Sequence, residues 1–321
     1  MLQRFCTVLG LVIGAGIAAG AAGQAYPNRP IRIIATQPPG AGTDIVARLI
    51  AQRLSAVFGQ PVIVDNRGGA SGNIATMLVA KASPDGYTLL FTTPAHATNP
   101  SVGKVSYDPV KDFAPITQIN SQAFLIVMHP ALPVKSVKEF VAYAHAKQGR
   151  LTYGTAGIGV AGHLGMELFK TLARFDAVHV PYKGGGPAII DVIAGQVDAA
   201  IVSALALLPH VRSGKVHALA VTSIKRSALL PDVPTIAESG FPEYEVSSWY
   251  GMLAPAGTPR ATVARLYEEV SRILKLPDIR ERFLADGSVP VGNTPEEFTA
   301  YIRAEVVKWA GVVKRSGARL D

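Results

Sequence analysis

The stretch Pro38-Pro39-Gly40-Ala41-Gly42-Thr43-Asp44 holds residue types suited to capturing an anion. Before it, Ile31, Ile33, Ile34 and Ala35 form a short apolar run of the kind buried on both faces of a sheet. After it, Ile45, Val46, Leu49, Ile50 and Leu54 recur at helical spacing. Two prolines stop a strand, and two glycines let the backbone approach whatever sits there. Thr43 or Asp44 can cap the helix, whose first turn offers N–H groups and a positive dipole end. An ordinary βα turn without a ligand reads the same way, so one copy decides little. The device recurs, however. Leu151-Thr152-Tyr153 leads into Gly154-Thr155-Ala156-Gly157-Ile158-Gly159, and His163 to Phe169 reads as a helix. Two such turns predict two domains that present them to one ligand in the cleft between.

Other chemistries fit the residues less well. Gly157-x-Gly159-x-x-Gly162 matches the dinucleotide fingerprint, which also needs an acidic residue at the end of the next strand. Here Asp176 precedes the strand Val178–Val180, and Pro181-Tyr182-Lys183 follows it. No glycine-rich turn ends in Gly-Lys-Ser/Thr, and no Gly-x-Ser-x-Gly elbow occurs. None of the seven histidines makes a close pair at metal spacing on one helix face, so neither metal nor cofactor is expected. His163, in the first helical turn after the second loop, reads as a packing or capping residue or as a ligand contact. Asp44 could be a general base, but is more simply a dipole and cap residue. Lys183, among glycines, is either a cleft-lip residue or a solvated lysine.

The elements that must position these turns follow from length and punctuation. A chain of 321 residues accommodates about two domains. At its start, Arg4, the apolar run Phe5 to Ala22 and the small-x-small site Gly23-Gln24-Ala25 read as a cleaved secretory signal. The single cysteine, Cys6, falls inside it, which excludes thiol catalysis and cysteine ligation in the mature chain. The formal charge of +8 is scattered, with no basic run interleaved with aromatics, so nucleic acid is not an expected partner; a mild positive field suits a small anion. Further strands are expected at Val62–Val64, Tyr87–Phe91, Phe124–Met128, Val178–Val180, Asp198–Val202, His217–Val221 and Val246–Leu253. A third glycine-rich turn, Asp65 to Gly72, precedes a helix from Ile74, and Ser136-Val137-Lys138-Glu139 is a capping box. The alternation predicts parallel, doubly wound sheets with ligand-facing turns at their carboxyl ends. Chain crossings are expected near Ser121–Phe124 and Ser247–Trp249. They give a discontinuous first domain (26–123 with 249–321) and an inserted second (124–248).

Several local motifs together resemble one family. They are Tyr26-Pro27-x-Arg29-Pro30-Ile31, the Pro39-Gly40 to Asp44 loop, Gly59-Gln60-Pro61, and Pro84-Asp85-Gly86-Tyr87-Thr88-Leu89-Leu90. Later come Asp112-Phe113-Ala114-Pro115, His179-Val180-Pro181-Tyr182-Lys183-Gly184, and Leu253-Ala254-Pro255-Ala256-Gly257-Thr258-Pro259. The chain is similar in these to the Bug, or TctC-like, extracytoplasmic solute receptors of tripartite tricarboxylate transporters. The resemblance implies an α/β, type II periplasmic-binding-protein fold, with two doubly wound domains joined by crossing hinge strands. It implies a monomer in the periplasm that passes a small carboxylate to membrane transporter components and catalyses nothing. An exported enzyme acting on a carboxylated substrate in the same cleft is the alternative.

By that resemblance the ligand meets Pro39, Gly40, Ala41, Gly42, Thr43 and Asp44 in one loop, with Thr92 and Thr93 beyond. From the other domain it meets Thr155, Ala156, Gly157, Ile158, Gly159, Val160 and His163, then Tyr182, Lys183, Gly184 and Ser203. Ile158 and Val160 stand where polar residues are frequent in the family, and Ser203 where many relatives carry an acid. An ammonium would then lack a partner, which predicts a carboxylate without an α-amino group and with an apolar remainder. Export predicts a mature N-terminus at Tyr26; N-terminal sequencing of protein from a periplasmic fraction checks it, and intact Met1 in the cytoplasm would refute it.

Overall fold

A computed structural model describes residues 26–316. The expected signal sequence at 1–25, with Cys6, lies outside the described residues. The first lobe begins with β1 (Ile31–Ala35), α1 (Gly42–Phe58) and β2 (Val62–Asn66). A 3-10 turn (Ala70–Gly72), α2 (Asn73–Ala80), β3 (Thr88–Thr92) and α3 (Ala95–Val102) follow. Then β4 (Phe113–Met128) leaves the lobe. The second lobe holds α4 (Val137–Ala146), β5 (Thr152–Thr155), α5 (Ala161–Ala173), β6 (Val178–Pro181) and α6 (Gly185–Ile193). It continues with β7 (Ala199–Ser203), α7 (Ala204–Arg212) and β8 (His217–Val221). The chain returns on β9 (Ser247–Pro255) and ends with α8 (Arg260–Leu274), α9 (Pro277–Ala285), β10 (Val289–Pro290) and α10 (Pro295–Ser316).

The wound parts are parallel, as the strand–helix alternation predicts. Thus β1 pairs in parallel with β2 and β3 in the first lobe, and β5 with β6 and β7 in the second. The crossing strands are antiparallel: β9 runs against β3 and β4, while β4 also runs against β7 and β8. Along β4 the partner changes between neighbouring residues. Ala123 lies opposite Ser247 of β9, and Phe124 lies opposite Ser203 of β7.

The sequence reading found only the end of β4, from Phe124. Its first part carries Thr117, Gln118 and Asn120, which interrupt the apolar pattern but are all buried. Buried polar groups need partners, and these have them. Thr117 Oγ1 donates to the Asn293 carbonyl (2.7 Å), and Asn293 Oδ1 accepts the Gln118 N–H (2.9 Å). Asn120 Oδ1 accepts the Tyr250 N–H at 3.0 Å. The ladder register shifts twice along this stretch, so the strand is bulged as well as polar. Helices α3, α7 and α9 were also not foreseen. They are short, and α3 and α7 contain Pro100 and Pro209, which read as breakers.

Each lobe has its own core. Ile31, Ile33, Ile50, Leu54, Leu266 and Val270 close one side of the first, and Phe140, Tyr153, Leu164, Phe169 and Tyr244 the second. The last helix joins both. Phe298 and Ile302 pack with Trp249 in a first-lobe cluster, whereas Trp309, Val312 and Val313 pack with Leu164 and Phe169. Its packing is therefore not confined to the first domain, in which the sequence reading places 249–321.

The β9 backbone is tightly covered at Gly251, where an added Cβ would lie 2.4 Å from Phe298 Cζ and 3.0 Å from the Trp249 ring. Gly251→Ala should destabilise by about 1–3 kcal/mol through overpacking. Gly103→Ala, where a Cβ meets nothing within 4 Å, should stay within about 0.5 kcal/mol of wild type. Urea denaturation compares them, and equal midpoints would contradict this packing.

Candidate functional site

A cleft of about 490 Å³ opens where the lobes meet. The end of β1 supplies Thr36 and Gln37, the entry to α2 supplies Ser71 and Gly72, and α3 supplies Thr98 and Asn99. The second lobe adds Phe124 and the loop Ile158–Val160; Ser248 and Tyr250 of β9 form the back, and Trp309 of α10 closes one end. No lining residue is Asp, Glu, Lys, Arg or His.

The first-lobe wall has an unusual backbone. Gly69, Ala70, Ser71 and Gly72 all have positive φ, at 115°, 46°, 53° and 87°. For Ala70 and Ser71 this conformation costs on the order of 1 kcal/mol each. Side chains hold it in place: Asn99 Nδ2 donates to the Ser71 carbonyl (2.9 Å) and to Asn73 Oδ1 (2.8 Å), which also accepts from the Tyr107 hydroxyl (3.0 Å). Beside them the Thr36 hydroxyl is buried without a partner among the described residues.

The first predicted loop satisfies much of its own backbone. Asp44 Oδ2 accepts the Gly40 N–H at 2.9 Å, and its other oxygen pairs with Arg48 Nε at 2.8 Å. Burial pushes this carboxyl up, but the Gly40 N–H, Asn66 and Arg48 outweigh it and hold its pKa below the usual value. The Ala41 N–H reaches the Pro38 carbonyl, and the buried Thr43 hydroxyl donates to Gln37 Oε1 at 2.8 Å. Gly42 starts α1 directly under Tyr250, whose hydroxyl an added Cβ would meet at 2.3 Å. Pro39 faces a separate depression with Arg32 and Asn66. Thr92 is buried in β3 opposite Gly251, while Thr93 reaches the cleft and its Oγ1 accepts the Ala95 N–H.

In the second lobe, Ile158, Gly159 and Val160 line the cleft, and their neighbours fasten them. Thr155 Oγ1 accepts the Gly157 N–H (3.2 Å) and pairs with His179 Nε2 (2.7 Å). His163 Nδ1 accepts the Gly159 N–H at 3.1 Å. The two imidazoles stack 3.9 Å apart, and His179 stacks on Tyr153, whose hydroxyl donates to Glu167 Oε1. His163 is therefore a loop-fastening residue, closer to the packing reading than to a ligand contact.

The Tyr182–Gly184 loop zips onto the same turn. The Tyr182 N–H bonds to the Thr155 carbonyl and the Gly184 N–H to the Ala156 carbonyl, both at 3.1 Å, and the Tyr182 hydroxyl donates to Asp191 Oδ2 at 2.5 Å. Lys183 is exposed, and Ser203 sits at the end of β7 opposite Phe124. Tyr182, Lys183, Gly184 and Ser203 are thus not part of the cleft lining.

The sequence reading did not nominate Thr36, Gln37, Ser71, Asn99, Phe124, Tyr250 or Trp309. The glycine-rich turn at 65–72 was visible and could have flagged Ser71 and Gly72. Trp309 was legible only as an inward-facing residue of the last helix.

With this geometry in hand, comparisons with known proteins are informative. The sequence profile of the tripartite tricarboxylate transporter family receptor (TctC) matches residues 46–318. Protein BugT of Bordetella pertussis is 37% identical over 323 residues, covering 99% of each chain. Among solved structures, an R. palustris protein with adipate is 39% identical with TM-score 0.72, covering 92% of this chain and all of that one. MatC from Rhodopseudomonas palustris with bound malate is 33% identical with TM-score 0.69, covering 90% of this chain and 100% of its own. A Polaromonas TctC solute binding protein with no ligand is 29% identical with TM-score 0.85, covering 90% and 99%.

The stacked imidazoles have a measurable consequence. Burial is the main cause that lowers both pKa values; a weaker pull from Glu167 opposes it at His163, and His163 and Lys170 reinforce it at His179, which falls from 6.5 to about 4. The unfolded chain therefore takes up protons first as the pH falls, so the stability these histidines contribute is present above 6.5 and lost on acidification towards about 4. Between about pH 7 and 5, His179→Asn should lose less stability than wild type in urea titrations. Equal losses would show that His179 is not held neutral.

Proposed function

The chain belongs to the family of tripartite tricarboxylate transporter receptors, and from that premise we propose that it is a periplasmic solute-binding protein. It captures a small carboxylate between its two lobes and presents it to the membrane components of such a transporter. The observation that carries this reading is the cleft, lined from both lobes and from the crossing strands, with the second-lobe loop ahead of α5 at its edge. Adipate and malate in the R. palustris relatives support the ligand class.

The two moving bodies are residues 26–123 with 249–321 and residues 124–248, and the hinge lies where β4 and β9 cross. The chain superposes better on the ligand-free Polaromonas relative than on the adipate- and malate-bound ones, although it is less identical to it in sequence. That ordering supports reading the present cleft as open. Closure would bring Ile158–Val160, with the Tyr182–Gly184 loop behind it, towards the first lobe and the N-terminus of α1. The uncharged lining also supports capture without covalent chemistry, since no general base stands beside a nucleophile there.

Calorimetry, small-angle scattering and NMR of the ligand on one sample test the reading. A carboxylate should bind one to one, reduce the radius of gyration at saturation and be recovered unchanged. Binding without compaction would refute the hinge, and conversion of the ligand would favour the exported enzyme.

A further inference from the structure

We infer that the cleft selects a monocarboxylate with an apolar body and no amino group. Its carboxylate lies at the Thr36–Ser71–Gly72 wall and its body lies against Phe124, Ile158, Val160 and Trp309. The inference rests on the receptor reading above and narrows its ligand to one class.

The first ground is charge. The lining holds neither cation nor carboxylate, so every charged group on a ligand must be stabilised by neutral donors alone. One carboxylate can be served in this way at one end. A second carboxylate, or an ammonium, would lose its water at the other end and gain no counter-ion.

The second ground is that the two ends differ. At the polar end the Thr36 hydroxyl is more than nine-tenths buried and has no partner among the described residues, although it lines the cleft. A buried hydroxyl without a partner is a standing cost that a ligand oxygen would relieve. Next to it, Gly72 caps α2, whose N-terminal dipole end favours negative charge.

At the other end, Val102 and Trp309 belong to one hydrophobic cluster, against which Phe124 and Ala161 pack. The Trp309 indole N–H donates to Glu305 Oε2 at 2.8 Å, so its polar atom is occupied by protein and the ring offers the cleft only carbon. Facing this end, Ile158 is 55% exposed and Val160 36%, which is costly for apolar side chains unless something covers them. An apolar ligand body covers both walls at once and draws the lobes together.

Calorimetry with straight-chain monocarboxylates from acetate to octanoate, together with adipate, malate, aspartate and glutamate, tests the proposal. Affinity should rise about fourfold per methylene until the cleft is full. Hexanoate should bind at least about tenfold tighter than adipate, which has the same chain length and one more charge. Neither amino acid should bind. Ile158→Asn, on an exposed loop, should flatten the chain-length dependence and leave acetate within about twofold of wild type. Thr36→Val should weaken all the acids by a similar factor and leave the slope unchanged, which a general loss of fold would not do. Adipate or malate binding tighter than hexanoate would overturn this inference and leave the receptor reading standing. A flat slope in the wild type would also overturn it, and binding of no carboxylate at all would overturn both.

Discussion

The antiparallel ladder between β4 and β9 is the constraint on which the rest of the structure depends. Two strands must leave one lobe and enter the other with their backbone groups paired throughout, because buried N–H and C=O groups cannot be left without partners. An apolar strand would do this as a stiff core element. Here the crossing is instead polar, bulged and tied by side chains: Asn120 holds the Tyr250 N–H, and Asn293 holds the Gln118 N–H. The residues that make the crossing also reach the ligand space, since Phe124 lies on β4 and Ser248 and Tyr250 on β9. Lobe orientation and the shape of the cleft are consequently set by the same few backbone bonds.

The glycine-rich turns that flank this crossing are less open than their composition implies. A turn full of free N–H groups can capture an anion, but it can also be fastened by its own neighbours. In this chain much of the fastening is done by side chains: Asp44 for Gly40, Thr155 for Gly157 and His163 for Gly159. Each such bond fixes the loop before a ligand arrives, which lowers the ordering cost of binding. It also removes a donor, so the polar partners left for a ligand are fewer and better placed than a count of glycines would give.

This separates what was legible in the sequence from what was not. Parallel wound strands, two lobes and the positions of the turns follow from local punctuation, because Gly, Pro and apolar runs act within a few residues. The first part of β4 hid because its buried residues are polar and are satisfied by Asn293, far along the chain. The cleft lining hid for the same reason. Asn99, Tyr250 and Trp309 have no common local signal, and only the crossing brings them to one space. Ile158, Gly159 and Val160 were found because they sit inside a turn that announces itself, whereas Tyr182 and Ser203 belong to equally visible segments that pack beside the loop and not on the cleft.

The last helix carries the argument one step further. Phe298 and Ile302 of α10 are anchored with Trp249 in one lobe, and Trp309, Val312 and Val313 with Leu164 and Phe169 in the other. Between these anchors, Glu305 accepts the Trp309 indole N–H and pairs with Lys308, whose ammonium also donates to the Glu245 carbonyl just ahead of β9. The polar knot therefore sits at the crossing itself. Any rotation of one lobe against the other must pivot α10 at this knot or slide its two apolar ends past their partners. Close-packed ends resist sliding, because displaced side chains lose contact and open voids. A pivot at Glu305–Trp309 keeps both ends packed and moves Trp309 only slightly. The hinge is then made of three chain crossings, and the residue closing the apolar end of the cleft stays nearly fixed while the wall carrying Ile158 and Val160 travels towards it.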